Sequence, residues 1–159
     1  MKLPWRRSTS AFARPEPPQA VTLEAVGFVR NGVAKPRPRG WEKVESVIEM
    51  LPLHAARLQG IDAYSHLLVV VYLDIAEGAL EKPLTLTLAS GHTYGIFATR
   101  SQLRPNHLGV TAVELLSLEG TSLRVRGLDA IDGTPVLDLK PYLPQYDAIP
   151  GARVPGGST

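Results

Sequence analysis

Two stretches concentrate side chains able to do chemistry. The first runs from Gly95 through Phe97, Ala98, Thr99, Arg100, Arg104, Pro105 and Asn106 to Gly109. Two arginines four residues apart, stiffened by a proline and closed by a glycine, can take a carboxylate or phosphate through forked guanidinium donors. Asn106 adds paired donor and acceptor groups suited to a base edge. The same composition equally describes a stiff surface turn whose arginines are solvated. The second stretch runs from Asp129 through Asp132, Gly133, Thr134 and Pro135 to Asp138, Lys140, Pro141 and Tyr142. Asp132-Gly133 is a tight turn, and Thr134-Pro135 forces an extended entry into a strand over 136–139. On that strand Asp138 is expected to share a face with Val136 and Lys140. An Asp–Lys pair on one strand face is more often a structural ion pair than a reactive one.

Several other chemistries are excluded. The chain has no cysteine, which removes disulfides, thiolate metal sites and a cysteine nucleophile together. The four histidines, His54, His66, His92 and His107, have no zinc-ligand spacing. Asp129 and Asp132 lack the spacing of a calcium loop. There is no glycine fingerprint of a dinucleotide fold and no Walker loop. Ser65 and His66 would point to opposite faces of a strand, so a Ser–His nucleophile is not expected from that pair.

The elements that must carry these residues read mainly as short strands. Val21–Arg30 is rich in β-branched and aromatic residues. Over 43–50 the pattern alternates, with Val44, Ile48 and Met50 on one face and Glu45 and Glu49 on the other. His66–Leu73 is almost all apolar, as for a strand buried on both faces. Further strands are expected at 84–88, 94–99, 110–118 and 123–126, the last two joined by a hairpin at Glu119–Ser122. One short helix is expected at Pro52–Gln59, closed by Gly60. This pattern predicts a β-barrel or sandwich-like core, not alternating α and β units.

The chain has 159 residues, 44% hydrophobic and 20% charged, with a formal net charge of +2. That is one domain's worth of sequence with an ordinary apolar content. The charge balance permits a nucleic-acid partner without requiring one. The longest apolar run, Leu67–Leu73, is too short to span a bilayer. Residues 1–20 and 148–159 are rich in Pro, Gly or Arg and lack a core pattern, so flexible tails are expected on either side of a domain at 21–147.

Four motifs in fixed order carry a resemblance. They are Gly27–Arg30; Leu58 to Leu67 with Gly60, Ile61, Tyr64, Ser65 and His66; Gly95–Asn106; and Asp132–Tyr142. Together they resemble the TsaA-like family, also called TrmO, of tRNA adenine-N6 methyltransferases, across essentially all of 21–147. The resemblance implies a small β-barrel, a non-Rossmann methyltransferase, that uses S-adenosylmethionine without a metal. It implies a homodimer with the cofactor near the subunit boundary, acting in the cytoplasm, away from membranes. The implied reaction methylates N6 of threonylcarbamoyladenosine next to the tRNA anticodon.

Carried over residue by residue, the resemblance assigns Phe97, Ala98, Thr99, Arg100, Arg104, Asn106, Asp132, Thr134 and Pro135 to the cofactor. Asp138 and His66 become candidate proton acceptors, with a structural histidine the equal alternative for His66. Arg37, Arg39, Lys140 and Tyr142 fall on the substrate side. Two departures stand out. His107 occupies the place where relatives usually carry a second proline, so a more mobile loop or an altered pocket is expected there. The early Pro-Arg-Gln motif appears only as Pro36-Arg37-Pro38-Arg39. Little chain follows Tyr142, so the additional C-terminal domain of some relatives is not expected in this sequence. The alternatives are a methyltransferase acting on another adenine-containing or small molecule, and, from another class, a non-catalytic nucleic-acid-binding barrel, with Arg37, Arg39, Arg100 and Arg104 against phosphates and Trp41 or Tyr94 stacking on bases.

Overall fold

Strand alternation decides which side chains enter the core. In a computed structural model, which describes residues 15–77 and 82–155, the strands are β1 (Gly27–Arg30), β2 (Glu45–Met50), β3 (His66–Tyr72), β4 (Thr85–Thr87), β5 (Thr93–Gly95), β6 (Leu108–Glu119), β7 (Ser122–Arg126) and β8 (Pro135–Pro141). Six of them close into an antiparallel barrel in the order β1-β2-β7-β6-β3-β8, and β8 completes the ring by pairing with both β3 and β1. Strands β4 and β5 form a separate two-stranded hairpin. Closure leaves the ring of β1, β2, β3, β6, β7 and β8 with no open edge to attract another chain.

Every second residue points inward. Ser46, Ile48 and Met50 of β2 are buried, whereas Glu45 and Glu49 face out. Leu123 and Val125 of β7 meet them, leaving Arg124 and Arg126 outside, where Arg126 bridges Glu45 and Glu114. Leu67, Val69 and Val71 of β3 are fully buried with Val29, Val113, Leu128 and Val136. Gly120, with φ +60, makes the tight turn between β6 and β7.

The structure corrects several expectations. β3 is buried on one face only, because barrel closure gives each strand a single interior side; Leu68, Val70 and Tyr72 stay half-exposed. The first strand is Gly27–Arg30, not Val21–Arg30, since the ladders of β2 and β8 both end opposite Gly27. Pro52–Leu58 is a 3-10 helix, with His54 N–H donating to the Leu51 carbonyl in an i to i+3 bond. Residues 96–98 leave β5 as a 3-10 turn.

The most consequential correction is in β8. A bulge between Val136 and Asp138 pairs Val136 with Val71 and Asp138 with Val70. Val136 therefore points into the core and Asp138 points out, instead of sharing a face, because one extra residue reverses the alternation. Two short α-helices, α1 (Asp74–Glu77) and α2 (Pro144–Asp147), follow β3 and β8. The tails expected at 1–14 and 156–159 lie outside the described residues. Residues 15–26 and 148–155 carry no regular element and are mostly exposed.

Candidate functional site

The rim of the barrel where β3 ends and β6 begins holds a groove of about 810 Å³. Three connections build it. The β1–β2 loop brings Pro36, Arg37 and Pro38; the loop before β6 brings Thr99, Arg100, Ser101, Gln102 and Arg104; the β7–β8 loop brings Asp129. Leu73, Leu86, Leu88, Leu108 and Val110 give it apolar surface. A smaller recess of about 50 Å³ adjoins it, lined by Trp41, Leu73, Ile75, Ala130 and Ile131 with Gln102, Asp129 and Thr134. Gln102, Asp129, Leu73 and Pro36 face both spaces.

The β1–β2 loop is held beside the groove by a chain of hydrogen bonds. Asp132 accepts from the backbone N–H groups of Asn31 (2.8 Å) and Gly32 (3.2 Å). The Asn31 side chain donates to the Ser46 hydroxyl and the Ala130 carbonyl. The Trp41 indole N–H donates to the Arg37 carbonyl at 2.9 Å, and the Arg37 guanidinium lies 4.9 Å over the indole ring. Arg37 is thus fixed at the mouth, while Arg39 is exposed. Asp132 is a loop staple, and its two N–H donors hold its carboxyl below the usual aspartate range. The stabilisation from a depressed carboxyl is present above the ordinary aspartate range and is lost as pH falls through the folded value. Asp132→Ala should therefore lower the melting temperature at neutral pH. Thermal scans across pH should find that gap shrinking below about pH 4; a gap constant with pH would exclude this linkage.

Arg100 anchors one guanidinium nitrogen on the Val110 carbonyl at 2.6 Å, keeping its remaining donors at the groove wall. Arg104 donates to the Thr99 carbonyl at 2.9 Å, and its Nε is buried without a hydrogen-bond partner. Arg100 and Arg104 both line the groove, where their guanidinium charge would favour an anionic ligand group. Partial desolvation by the groove walls pushes the exposed Asp129 carboxyl up, and the nearby Arg100 charge pulls it partly back. The groove is therefore cationic on one wall, apolar on its floor, and lined by the Asp129 carboxyl.

The sequence-derived residues divide. Arg37, Thr99, Arg100 and Arg104 line the groove, and Thr134 lines the recess. Pro135 opens β8. Phe97 and Ala98 line a different apolar recess with Lys82, Pro83, Leu84 and Pro105, and Asn106 is exposed on the loop. His66 lies at the far end of β3, about 20 Å of strand from Leu73. There its Nδ1 is 2.9 Å from the Ser65 hydroxyl and its ring is 6.4 Å from that of Tyr142. Ser65 precedes the strand, so the alternation that would separate the two side chains does not reach it. Asp138 and Lys140 form a 2.8 Å ion pair on the outer barrel surface. His66, Asp138, Lys140 and Tyr142 thus form a group outside the groove of their own chain. Trp41 is buried and bonded, which withdraws it from base stacking. Sequence reasoning named Asp129 without giving it a site role and passed over Gln102; their adjacency to the Asp132-Gly133 turn and to Arg100 was the available signal. Among the described residues no group of three or more His, Asp or Glu could hold a metal ion, and no helix is long and apolar enough to cross a membrane.

Fold and site together define a small closed antiparallel barrel with an arginine-walled binding groove at one rim. The family described as the tRNA-methyltransferase O N-terminal domain matches residues 29–148, and the chain belongs to that family. A protein of Archaeoglobus fulgidus named a probable S-adenosyl-L-methionine-binding protein is 38% identical over 138 residues, covering 84% of this chain and 37% of that one. The tRNA (adenine(37)-N6)-methyltransferase of Escherichia coli is 38% identical over 104 residues, covering 62% of this chain and 44% of the enzyme. The crystal structure of TrmO from Pseudomonas aeruginosa superposes with a TM-score of 0.69 at 30% identity, covering 84% of this chain and 61% of that one. The chain thus spans less than half the length of these two curated relatives.

Proposed function

We propose that the chain is the barrel of an S-adenosylmethionine-dependent tRNA methyltransferase acting on N6 of threonylcarbamoyladenosine beside the anticodon. The observation that carries this reading is the rim groove: a cationic wall of Arg37, Arg100 and Arg104, next to an apolar recess, in a chain of this family. The cofactor supplies an electrophilic methyl group on a sulfonium sulfur. Arg100 and Arg104 would hold its carboxylate, and the apolar groove surface at the mouth of the recess, around Leu73 and Leu108, would take its adenine. The wall would also fix the approach of the target nitrogen, a large lever in a two-substrate transfer. The acylated N6–H is more acidic than a free adenine amine, so a weak base suffices. Asp129 is the carboxyl of this chain facing the groove. Arg37 and Arg39 flank the mouth, where tRNA phosphates would lie.

The working form of this reading is a cytoplasmic homodimer. Leu68, Val70 and Tyr72 pair across to Ala112, Val110 and Leu108 on the outer barrel face, making an apolar surface continuous with the groove. A second copy covering it would also bring its own His66, Lys140 and Tyr142 group toward the shared boundary. Calorimetry should give micromolar S-adenosylmethionine binding without added metal, and methyl transfer should require tRNA bearing the threonylcarbamoyl group. Light scattering should give a dimer that Val70→Asp converts to a monomer. Absence of cofactor binding overturns the enzyme reading; equal methylation of unmodified tRNA overturns the substrate; a wild-type monomer with full affinity removes the shared boundary.

A further inference from the structure

We propose that His107 is a positioning residue that sets the shape of the arginine wall, in a backbone conformation closed to proline. The proposal rests on the reading of the groove as the cofactor site. His107 has φ +51, the left-handed region, and is the one non-glycine residue with positive φ among those described. Histidine is among the few side chains enriched there, whereas proline is locked near −65°. The residue is also buried, at 4% exposure, although it sits in a polar loop.

Four contacts explain the burial. The His107 N–H donates to the Arg104 carbonyl at 3.1 Å, and its own carbonyl accepts from Leu73 N–H at 2.7 Å. Its Nδ1 lies 3.3 Å from the Gln102 carbonyl, which can only accept, so Nδ1 carries the proton. Its ring meets Tyr72 edge to face, with centroids 6.2 Å apart. One residue thereby ties together the end of β3, which supplies Leu73 to groove and recess, and the loop that supplies Gln102 and Arg104. The departure from the usual proline leaves the loop anchored through a side chain instead of loosened. The consequence is specific: restoring proline at this position damages the site, because it removes the N–H given to Arg104 and forbids the observed φ.

The test compares His107→Pro, His107→Ala and His107→Asn with wild type. The readouts are S-adenosylmethionine affinity, the division of any rate loss between KM and kcat, and amide exchange over residues 100–109. His107→Pro and His107→Ala should raise the dissociation constant and KM for S-adenosylmethionine roughly tenfold. kcat at saturating cofactor should hold, since the residue shapes binding and touches no reacting atom. Exchange over the loop should accelerate in both. His107→Asn tolerates the left-handed conformation and retains a side-chain donor, so it should stay close to wild type. If His107→Pro does not fold, His107→Ala decides the matter. A folded His107→Ala with wild-type affinity and wild-type exchange overturns the proposal. If wild type fails to bind the cofactor, the groove's assignment falls, and loop exchange alone still judges the role of His107.

Discussion

Arg100→Lys is expected to weaken S-adenosylmethionine binding by roughly ten- to a hundredfold while leaving the melting temperature nearly unchanged. The loss corresponds to about 1.5–3 kcal/mol, the scale of a hydrogen bond to a charged group. Arg100 spends one nitrogen on the Val110 carbonyl, and that anchor aims the rest of the guanidinium at the groove. A lysine ammonium keeps the charge but is a single point on a flexible stem, so it cannot hold Val110 and present parallel donors at once. Stability is insensitive because Arg100 is exposed and outside the packed core. Arg104 differs. It is half-buried and bonded to Thr99, so Arg104→Ala loosens the loop as well as the wall. Titration calorimetry beside thermal scans checks both statements, and an unchanged affinity for Arg100→Lys would reduce the loop to a surface turn.

Leu67→Ala is expected to cost about 2–5 kcal/mol of folding stability. Leu67 is fully buried in the strand that joins β6 to β8, opposite Val113 on one side and Pro141 on the other. No neighbour on a closed ladder can move far enough to fill the space, so transfer and cavity terms add. Domains of this size are stable by only about 5–15 kcal/mol, so the loss is a large share of the total. Urea unfolding should move the midpoint down with the slope unchanged. Leu68→Ala is the internal control. The same substitution one residue on, at a half-exposed outer position, should cost less in an isolated subunit and instead weaken self-association. Equal costs at the two positions would contradict the one-sided burial of β3.

Much of the barrel was legible because its signals are local. The alternation of Glu45, Ile48, Glu49 and Met50, and that of Leu123, Arg124, Val125 and Arg126, states which face is wet without reference to any partner strand. The Asp132-Gly133 turn carries its own conformational reason: Gly133 takes φ +84. The motifs around Arg100 and Asp132 identified the segments that meet at the groove, since their order and residue types survive independently of exact geometry. Less legible was which members of each motif face the groove. Arg100 and Arg104 do, Phe97 turns to a different recess, and Asp132 binds its own backbone.

By itself the sequence determined strand content, the polar and apolar faces of β2 and β7, the placement of tight turns, and the family, because periodicity, turn chemistry and motif identity are properties of neighbouring residues. Only the tertiary structure decided that β3 has one buried face, because an apolar run reads the same whether one or both sides are covered. It alone decided that Val136 points inward while Asp138, ion-paired with Lys140 as the sequence suggested, points outward, because the bulge in β8 exists only against its partner β3. It alone brought Asp129, Gln102 and Leu73 around one space and seated His107 against Gln102, Leu73 and Tyr72, since these contacts join residues separated by up to dozens of positions and depend on how the ring of strands closes.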